Sequence, residues 1–316
     1  MLILDLDGIR AALADIDPLP AIEEGFVAYS EGKTIVPPVG ELAMETGEVH
    51  IKYGCIKDQP HYVIKVASGF HGNAAKGLPT GHGMMLVFSQ ETGFPVALLL
   101  DEAYLTDIRT AVAGAIGAKY LAPAEVGCIG IVGSGVQARL QLEYLKPLTA
   151  CRDVLVHGID GAGLERYQDD MADAGFTVGI APDGAAIGAA CNLIVTTTPA
   201  TTPILLAEHI RPGTHITAIG SDTPEKQELD AAILAGADVV VADSIPQSRL
   251  RGEISQALGV GAIEESKVVE LGNVIAGKSP GRTAEDQITV FDSTGVAVQD
   301  IQIAKAVIDQ IEAERT

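Results

Sequence analysis

Apolar positions follow one rhythm in the middle of the chain and others at its start. Short unbroken apolar runs recur at 128–132, 154–157, 177–180, 193–197, 215–219, 239–242 and 288–291. Runs of this length, rich in Ile and Val, suit parallel strands buried on both faces. Between them, helical spacing predicts helices near 136–145, 161–174 and 227–234. Strands alternating with helices predict a Rossmann-type doubly wound parallel sheet, an α/β domain over 122–299. The earlier chain is mixed. Helical periodicity at 8–15 and 19–31 ends at Gly32, and strands are expected at 49–53 and 61–67. Segments 84–89 and 94–100 read as a hairpin around Glu91, Thr92 and Gly93. Thr106 is placed to cap a helix running to Leu121, with Asp107 and Arg109 in its first turn. Residues 296–313 have the spacing of one amphipathic helix. We expect an α+β domain over 1–121, with 300–316 packing back onto it.

The stretch at 127–145, GCIGIVGSGVQARLQLEYL, is strand, glycine turn and helix in succession. Gly133 permits a tight turn, and Gly135 lets an anion approach the backbone. Free N–H groups of Ser134, Val136 and Gln137 and the helix dipole then favour a pyrophosphate. With Ala138 this is the G-x-G-x-x-A form of a dinucleotide-binding turn. The second strand ends VHGID, with Gly158 where an acid commonly falls and Asp160 two residues later. No Lys or Arg follows until Arg166, which favours NAD over NADP. Asp160 also reads as a cap for the helix after it. Ligands of such sheets meet the carboxyl ends of the strands, which here present Thr197 and Thr198, then Gly220, Ser221 and Asp222, then Ser293. A carboxylate at Asp222 can move a proton or hold an amine cation; the bland reading is a cap for a helix beginning after Pro224.

Two cations sit inside apolar strands, Lys52 in VHIKY and Lys65 in YVIKVA. On a two-residue period Lys65 shares a face with Val63 and Ala67. Each also reads as an edge-strand charge that discourages aggregation. With Arg109 at a helix start, and with His71, Asn73 and Thr80 in a polar loop, they form an anion pocket if they converge.

Charge sharpens this. The net charge is −21, so both nucleic acid and anionic membranes are disfavoured as partners. Any cations at an anion site must be placed specifically. Hydrophobic residues are 47% and charged residues 20%, the balance of a globular chain. No apolar stretch reaches membrane-spanning length, and MLILDLDG lacks the basic start of a secretory signal. Cys55, Cys128, Cys151 and Cys191 have no C-x-x-C spacing, so free thiols and a cytoplasmic setting are expected. His50, His71 and His82 show no metal-ligand spacing, and no metal is expected.

Several blocks together resemble the ornithine cyclodeaminase/mu-crystallin family. They are LTDIRTAVAGAIGAKYLAP at 105–123, IGIVGSGVQARLQ, HITAIGSDTPEKQELD, RGEI at 251–254 and GR…QITVFDSTGVAVQD at 281–300. The resemblance implies a homodimer joined through the first domain and NAD(P) in the second. It implies that Lys65 touches the substrate carboxylate and the reacting nitrogen, Arg109 clamps that carboxylate, Thr80 lines the pocket and Asp222 is an acid/base. Members include cyclodeaminases, alanine dehydrogenases, imine reductases and hormone-binding crystallins. Two departures bear on the substrate. The early-strand arginine of ornithine cyclodeaminases has no counterpart in VPPVGELAM, and Lys52 stands where those enzymes carry a glutamate. A cation there disfavours a distal amine and favours a second carboxylate. The expected activity is NADH-dependent reduction of a small acidic imine to an L-amino acid, iminosuccinate to aspartate being the sharpest case. Lys52, with His71, would meet the second carboxylate. A cyclodeaminase, an alanine dehydrogenase and a non-catalytic crystallin-like binder are the alternatives.

Overall fold

The computed structural model describes residues 1–314, without the side chains of His71 and Ala74. In chain order the elements begin with β1 (Leu2–Leu4), α1 (Leu6–Leu13), α2 (Leu19–Ser30), β2 (Thr34–Ile35), β3 (Gly40–Met44), β4 (Gly47–Ile56), β5 (His61–Gly69), β6 (Gly81–Ser89), β7 (Pro95–Leu99) and α3 (Tyr104–Leu121). There follow β8 (Ile129–Val132), α4 (Val136–Leu145), β9 (Asp153–His157), α5 (Gly161–Asp173), β10 (Thr177–Ile180), α6 (Gly184–Ala190), β11 (Leu193–Thr196), β12 (Thr201–Leu205) and β13 (His215–Ala218). The remainder is β14 (Gln227–Leu229), α7 (Ala231–Gly236), β15 (Val239–Ala242), α8 (Ile245–Ser248), α9 (Gly252–Gly259), β16 (Val268–Glu270), α10 (Leu271–Ile275), β17 (Thr289–Asp292) and α11 (Val298–Glu314). Two compact units result, one of Met1–Arg109 with the chain from Val296 onward, the other Thr110–Gly295.

In the first unit the described residues form a seven-stranded sheet in the order β1-β7-β6-β5-β4-β2, with β3 on β4. Strands β4 to β7 are antiparallel neighbours, while β1 joins β7 in parallel. The two-residue period sorts the faces. His50, Lys52, Val63, Lys65, Met85, Val87, Ala97 and Leu99 are buried, and α11 packs on β4 and β5. The alternate positions Tyr53, Cys55, Tyr62, Ile64 and Phe88 remain half-buried or exposed, and the rings of Tyr62 and Phe88 stack at 4.9 Å.

The start of α3 departs from the expectation. The helix begins at Tyr104, not at Thr106. Asp101 supplies the cap, its Oδ2 accepting from the Leu105 N–H at 2.9 Å. Glu102 and Ala103 turn the chain with positive φ angles of 51° and 73°. Arg109 therefore lies in the second turn, not the first, where a cation would oppose the helix dipole.

In the second unit an eight-stranded parallel sheet has the order β10-β9-β8-β11-β13-β17-β15-β16. The chain winds outward from β8 to β10 and then returns to β11, so the strand order reverses between β8 and β11. One face is covered by α4 and α5 through Ala138, Leu142, Leu145, Leu164, Tyr167 and Met171. The other takes Ile187, Ile233, Leu234, Ile254 and Ala257 from α6, α7 and α9. Each such large aliphatic side chain contributes about 1.5–3 kcal/mol on burial. The helix expected at 227–234 is a correction. Residues Gln227–Leu229 are a strand paired with β12, and α7 starts only at Ala231, with the Asp230 side chain accepting from the Ala232 N–H at 3.0 Å. The reason is tertiary: the N–H groups of Glu228 and Leu229 are taken by the Glu253 carboxylate at 2.7 and 3.1 Å. The element after Pro224 is strand β14, not a helix, so Asp222 does not cap one there. Strand β16 is three residues long, and its signal is too short to read from sequence.

Candidate functional site

In the first unit β4 and β5 bring Lys52 directly opposite Lys65. Like charges facing across a sheet oppose the pairing. Both side chains are nonetheless buried, the residues being 5% and 2% exposed. Arg109, from α3, is 4% exposed. One carboxylate answers two of these cations. Asp300 Oδ1 lies 3.2 Å from Lys65 Nζ and 3.0 Å from Arg109 Nε. Asp300 is in the first turn of α11, where the helix dipole favours an anion. The neighbouring Gln299 accepts from Arg109 Nη1 at 2.9 Å. Burial, reinforced by Arg109 and opposed by Asp300, pushes the Lys65 ammonium down to about 7; Lys52 pushes the same way. Asp101 adds a second carboxyl near Lys65, and burial raises its proton affinity. Such a cluster can hold a carboxylate and can give or take a proton near neutral pH.

Thr80 is exposed at the start of β6, its carbonyl accepting from the Phe70 N–H at 2.7 Å. His71 opens a short 3-10 segment, but its side chain lies outside the described residues. Sequence reasoning missed Asp300, Gln299 and Asp101. Asp300 reads locally as one polar position of an amphipathic helix, and its partners lie far away in sequence.

In the second unit the glycine turn has the form its sequence implies. Gly133 has φ +112°, and a Cβ there would fall 2.5 Å from Thr197 Oγ1. Thr197 Oγ1 in turn donates to the Val132 carbonyl at 3.0 Å. Gly135 opens α4 with no side-chain cap, and a Cβ built on it meets nothing within 4 Å. Uncapped N–H groups and open space above Gly135 fit a pyrophosphate. Ser134 sits inside the turn, its carbonyl accepting from Arg139 Nη1 at 2.5 Å. Val136 is 59% exposed, and Gln137 Oε1 accepts from Gln141 at 3.4 Å. Asp160 stands at the head of α5 but its carboxylate makes no cap hydrogen bond; it lies 3.6 Å from Arg166 Nη2. Ser293 is buried beyond β17, its N–H donating to the Ala218 carbonyl at 3.0 Å. Asp222 Oδ1 pairs with Lys226 Nζ at 2.7 Å, and its carbonyl accepts from Arg251 Nη1 at 3.2 Å.

Buried carboxyls tie these strand ends together. Glu228 accepts from Thr196 Oγ1 at 2.7 Å, from Thr198 N–H at 2.6 Å, from Thr198 Oγ1 at 2.8 Å and from Gly220 N–H at 2.9 Å. Asp292 Oδ2 accepts from Ile254 N–H at 2.8 Å, and Asp243 holds Thr294 Oγ1 and Gly295 N–H at 2.9 and 2.6 Å. Burial raises Glu228 to about 7. Burial and the neighbouring carboxyls raise Glu253 to about 9, and burial raises Asp292 to about 8. Their only sequence signal is a set of acids beside apolar runs, which surface caps share.

Residues 7–315 match the ornithine cyclodeaminase/mu-crystallin family. The chain belongs to that family. It is 40% identical over 303 residues to the uncharacterized cyclodeaminase y4tK of Sinorhizobium fredii, covering 94% of this chain and 92% of that one. With the alanine dehydrogenase of Archaeoglobus fulgidus it shares 37% over 309 residues, covering 98% and 94%. With the iminosuccinate reductase of Paracoccus denitrificans it shares 35% over 291 residues, covering 92% and 90%. Solved structures agree. An archaeal alanine dehydrogenase dimer with bound NAD superposes at TM-score 0.91 and 36% identity, covering 100% of this chain and 97% of that one. The Paracoccus denitrificans reductase in complex with NAD+ does so at 0.88 and 30%, covering 99% and 97%. The α/β fold with its parallel sheet is thus the fold of this family. Among the described residues no helix is long and apolar enough to cross a membrane.

Proposed function

We propose that this protein is an NAD-dependent oxidoreductase of the CH–NH/CH–NH2 class that reduces a small dicarboxylic imine to an L-amino acid, with iminosuccinate to aspartate as the leading case. The observation that carries this reading is the buried Lys52 opposite Lys65, beside Arg109. Three clustered cations less the one charge of Asp300 leave two, the natural complement of two substrate carboxylates. The relatives named for NAD, for alanine dehydrogenation and for iminosuccinate reduction support the cofactor and the reaction class. The uncapped start of α4, the open Gly135 and the exposed Asp160 fit NAD, with Thr197, Thr198 and Ser293 at further strand ends. NADP is disfavoured, because Asp160 would meet a 2′-phosphate with like charge.

Bound NADH supplies the hydride. Arg109 and Lys65 orient the α-carboxylate, and Lys52 holds the second one. As the imine carbon is reduced, Lys65 would give the nitrogen its proton, its ammonium being acidic enough to release it near pH 7. Asp222 is the alternative proton carrier, with Lys226 holding its charge at 2.7 Å. Thr80 completes the proposed pocket. A second copy of the chain is expected to cover the apolar sheet face around Tyr53, Tyr62 and Ile64, as a homodimer; a monomer in sedimentation equilibrium would remove that part.

The test is an assay of the protein with NADH, ammonia and either oxaloacetate or pyruvate, followed by absorbance. Steady oxidation of NADH, faster with oxaloacetate, is the expected result. Faster turnover with pyruvate favours alanine dehydrogenation, which the 37% identical relative supports. Release of ammonia from ornithine without net loss of NADH sinks the reductase reading in favour of a cyclodeaminase. Ligand binding without turnover indicates a crystallin-like role.

A further inference from the structure

We infer that Asp300 is the positioning residue of this cationic cluster, a single carboxylate that holds Lys65 of β5 and Arg109 of α3 to one point. The inference rests on the proposed role of Lys65 only for its effect on rate. Its structural basis is independent. Asp300 is 1% exposed, and Val298, Ile301, Ile303 and Ala304 around it are buried. A carboxylate so removed from water must be matched by charge. It is matched twice, at 3.2 Å by Lys65 Nζ and at 3.0 Å by Arg109 Nε, both on Oδ1. Arg109 is held from a second direction by Gln299, the residue before Asp300, at 2.9 Å. Two consecutive residues at the start of one helix therefore fix a guanidinium that belongs to another.

The charged groups acting on Lys65 come from each element packed there. Arg109 of α3 and Lys52 of β4 disfavour its ammonium form, and Asp300 of α11 favours it. Asp101, ahead of α3, also feels the charge of Lys65. Among these Asp300 alone makes an ion pair with Lys65. Without its charge, Lys65 faces Arg109 and Lys52 with Asp101 as the remaining acid. Its ammonium then loses its proton at lower pH.

The experiment follows 13Cε-lysine by NMR in the intact protein, with the Lys65 signal assigned by its loss in Lys65→Met. In Asp300→Asn the Lys65 midpoint is expected to fall by about one pH unit or more. The alkaline limb of kcat/KM for imine reduction is expected to move with it, giving roughly a tenfold loss above the limb and recovery at lower pH. A Lys65 midpoint unchanged in Asp300→Asn overturns the inference, whatever happens to rate, because a merely structural role lowers activity at every pH alike. A midpoint that moves while the rate profile stays supports Asp300 as positioning residue and removes Lys65 as the proton donor. If Asp300→Asn does not fold, Asp300→Glu keeps the charge but displaces Arg109. A Lys65 midpoint near that of wild type with KM for the dicarboxylate raised about tenfold then supports the inference, and an unchanged KM overturns it.

Discussion

At the residue scale Lys52 is the proposed determinant of what the cluster holds. It is buried opposite Lys65, so its charge is felt with little screening by water. In Lys52→Glu a carboxylate would sit where a second substrate carboxylate is proposed. Loss of kcat/KM with oxaloacetate and ammonia by about a hundredfold is expected, corresponding to roughly 2.7 kcal/mol of lost attraction and added repulsion. The loss with pyruvate should be much smaller. The new carboxylate also favours the Lys65 ammonium, so the alkaline limb should move to higher pH, opposite in sign to Asp300→Asn. Equal losses on both substrates, or none, would remove Lys52 as the specificity residue.

At the scale of elements, the loops after β11 and β13 are joined by a side chain from β14. Glu228 accepts four hydrogen bonds from Thr196, Thr198 and Gly220. Glu228→Ala leaves the buried Thr196 hydroxyl without an acceptor, at about 1–3 kcal/mol, and removes three further bonds from the half-buried Thr198 and Gly220, so a fall in melting temperature is expected. Glu228→Gln keeps the shape, but its amide nitrogen must face an N–H or hydroxyl donor. It should fold, and bind NADH about tenfold more weakly in a fluorescence titration, with kcat less affected. Unaltered NADH affinity in folded Glu228→Gln would show that the strand-end loops do not depend on this side chain. The same network explains why 227–234 is not one helix. Its pattern suits a helix, but Glu253 from α9 takes the N–H groups of Glu228 and Leu229.

At the scale of the whole chain, buried carboxyls reverse the usual trend of stability with pH. Glu228, Asp292 and Glu253 titrate at about 7, 8 and 9 when folded, above their ordinary range near 4. Between about pH 5 and 7 the folded chain therefore holds protons that the unfolded chain releases, and stability falls as pH rises. Buried His215 acts in the opposite sense. Burial first, and then Arg282, push it down to about 3, so the unfolded chain binds one proton that the folded chain does not. Three groups against one leave a net fall. Lys65, lowered to about 7, offsets part of it only above neutrality. The melting temperature should drop from pH 5.5 to 7; a steady rise across that range would mean these carboxyls are ionised in the folded state.

The sequence by itself determined what local pattern can determine. Apolar runs and helical spacing specified the parallel sheet, because strands buried on both faces need uninterrupted Ile and Val. The turn at Gly133 and Gly135 was legible because its geometry requires glycine within a few residues. Lys52 and Lys65 stood out as charges inside apolar strands, and their register was settled by the antiparallel pairing of β4 and β5. Tertiary structure alone decided the rest. Asp101 replaced Thr106 as the cap of α3, because a two-residue left-handed turn brings its carboxylate to the Leu105 N–H. Asp300 met Lys65 and Arg109 only when the last helix packed on the first sheet. Glu228, Glu253 and Asp292 came together only when the ends of β11, β13 and β17 were set side by side with β14 and α9. A charge leaves no periodic trace of a partner that lies beyond its own element in sequence, and the low dielectric that gives the pairing its strength exists only in the folded chain.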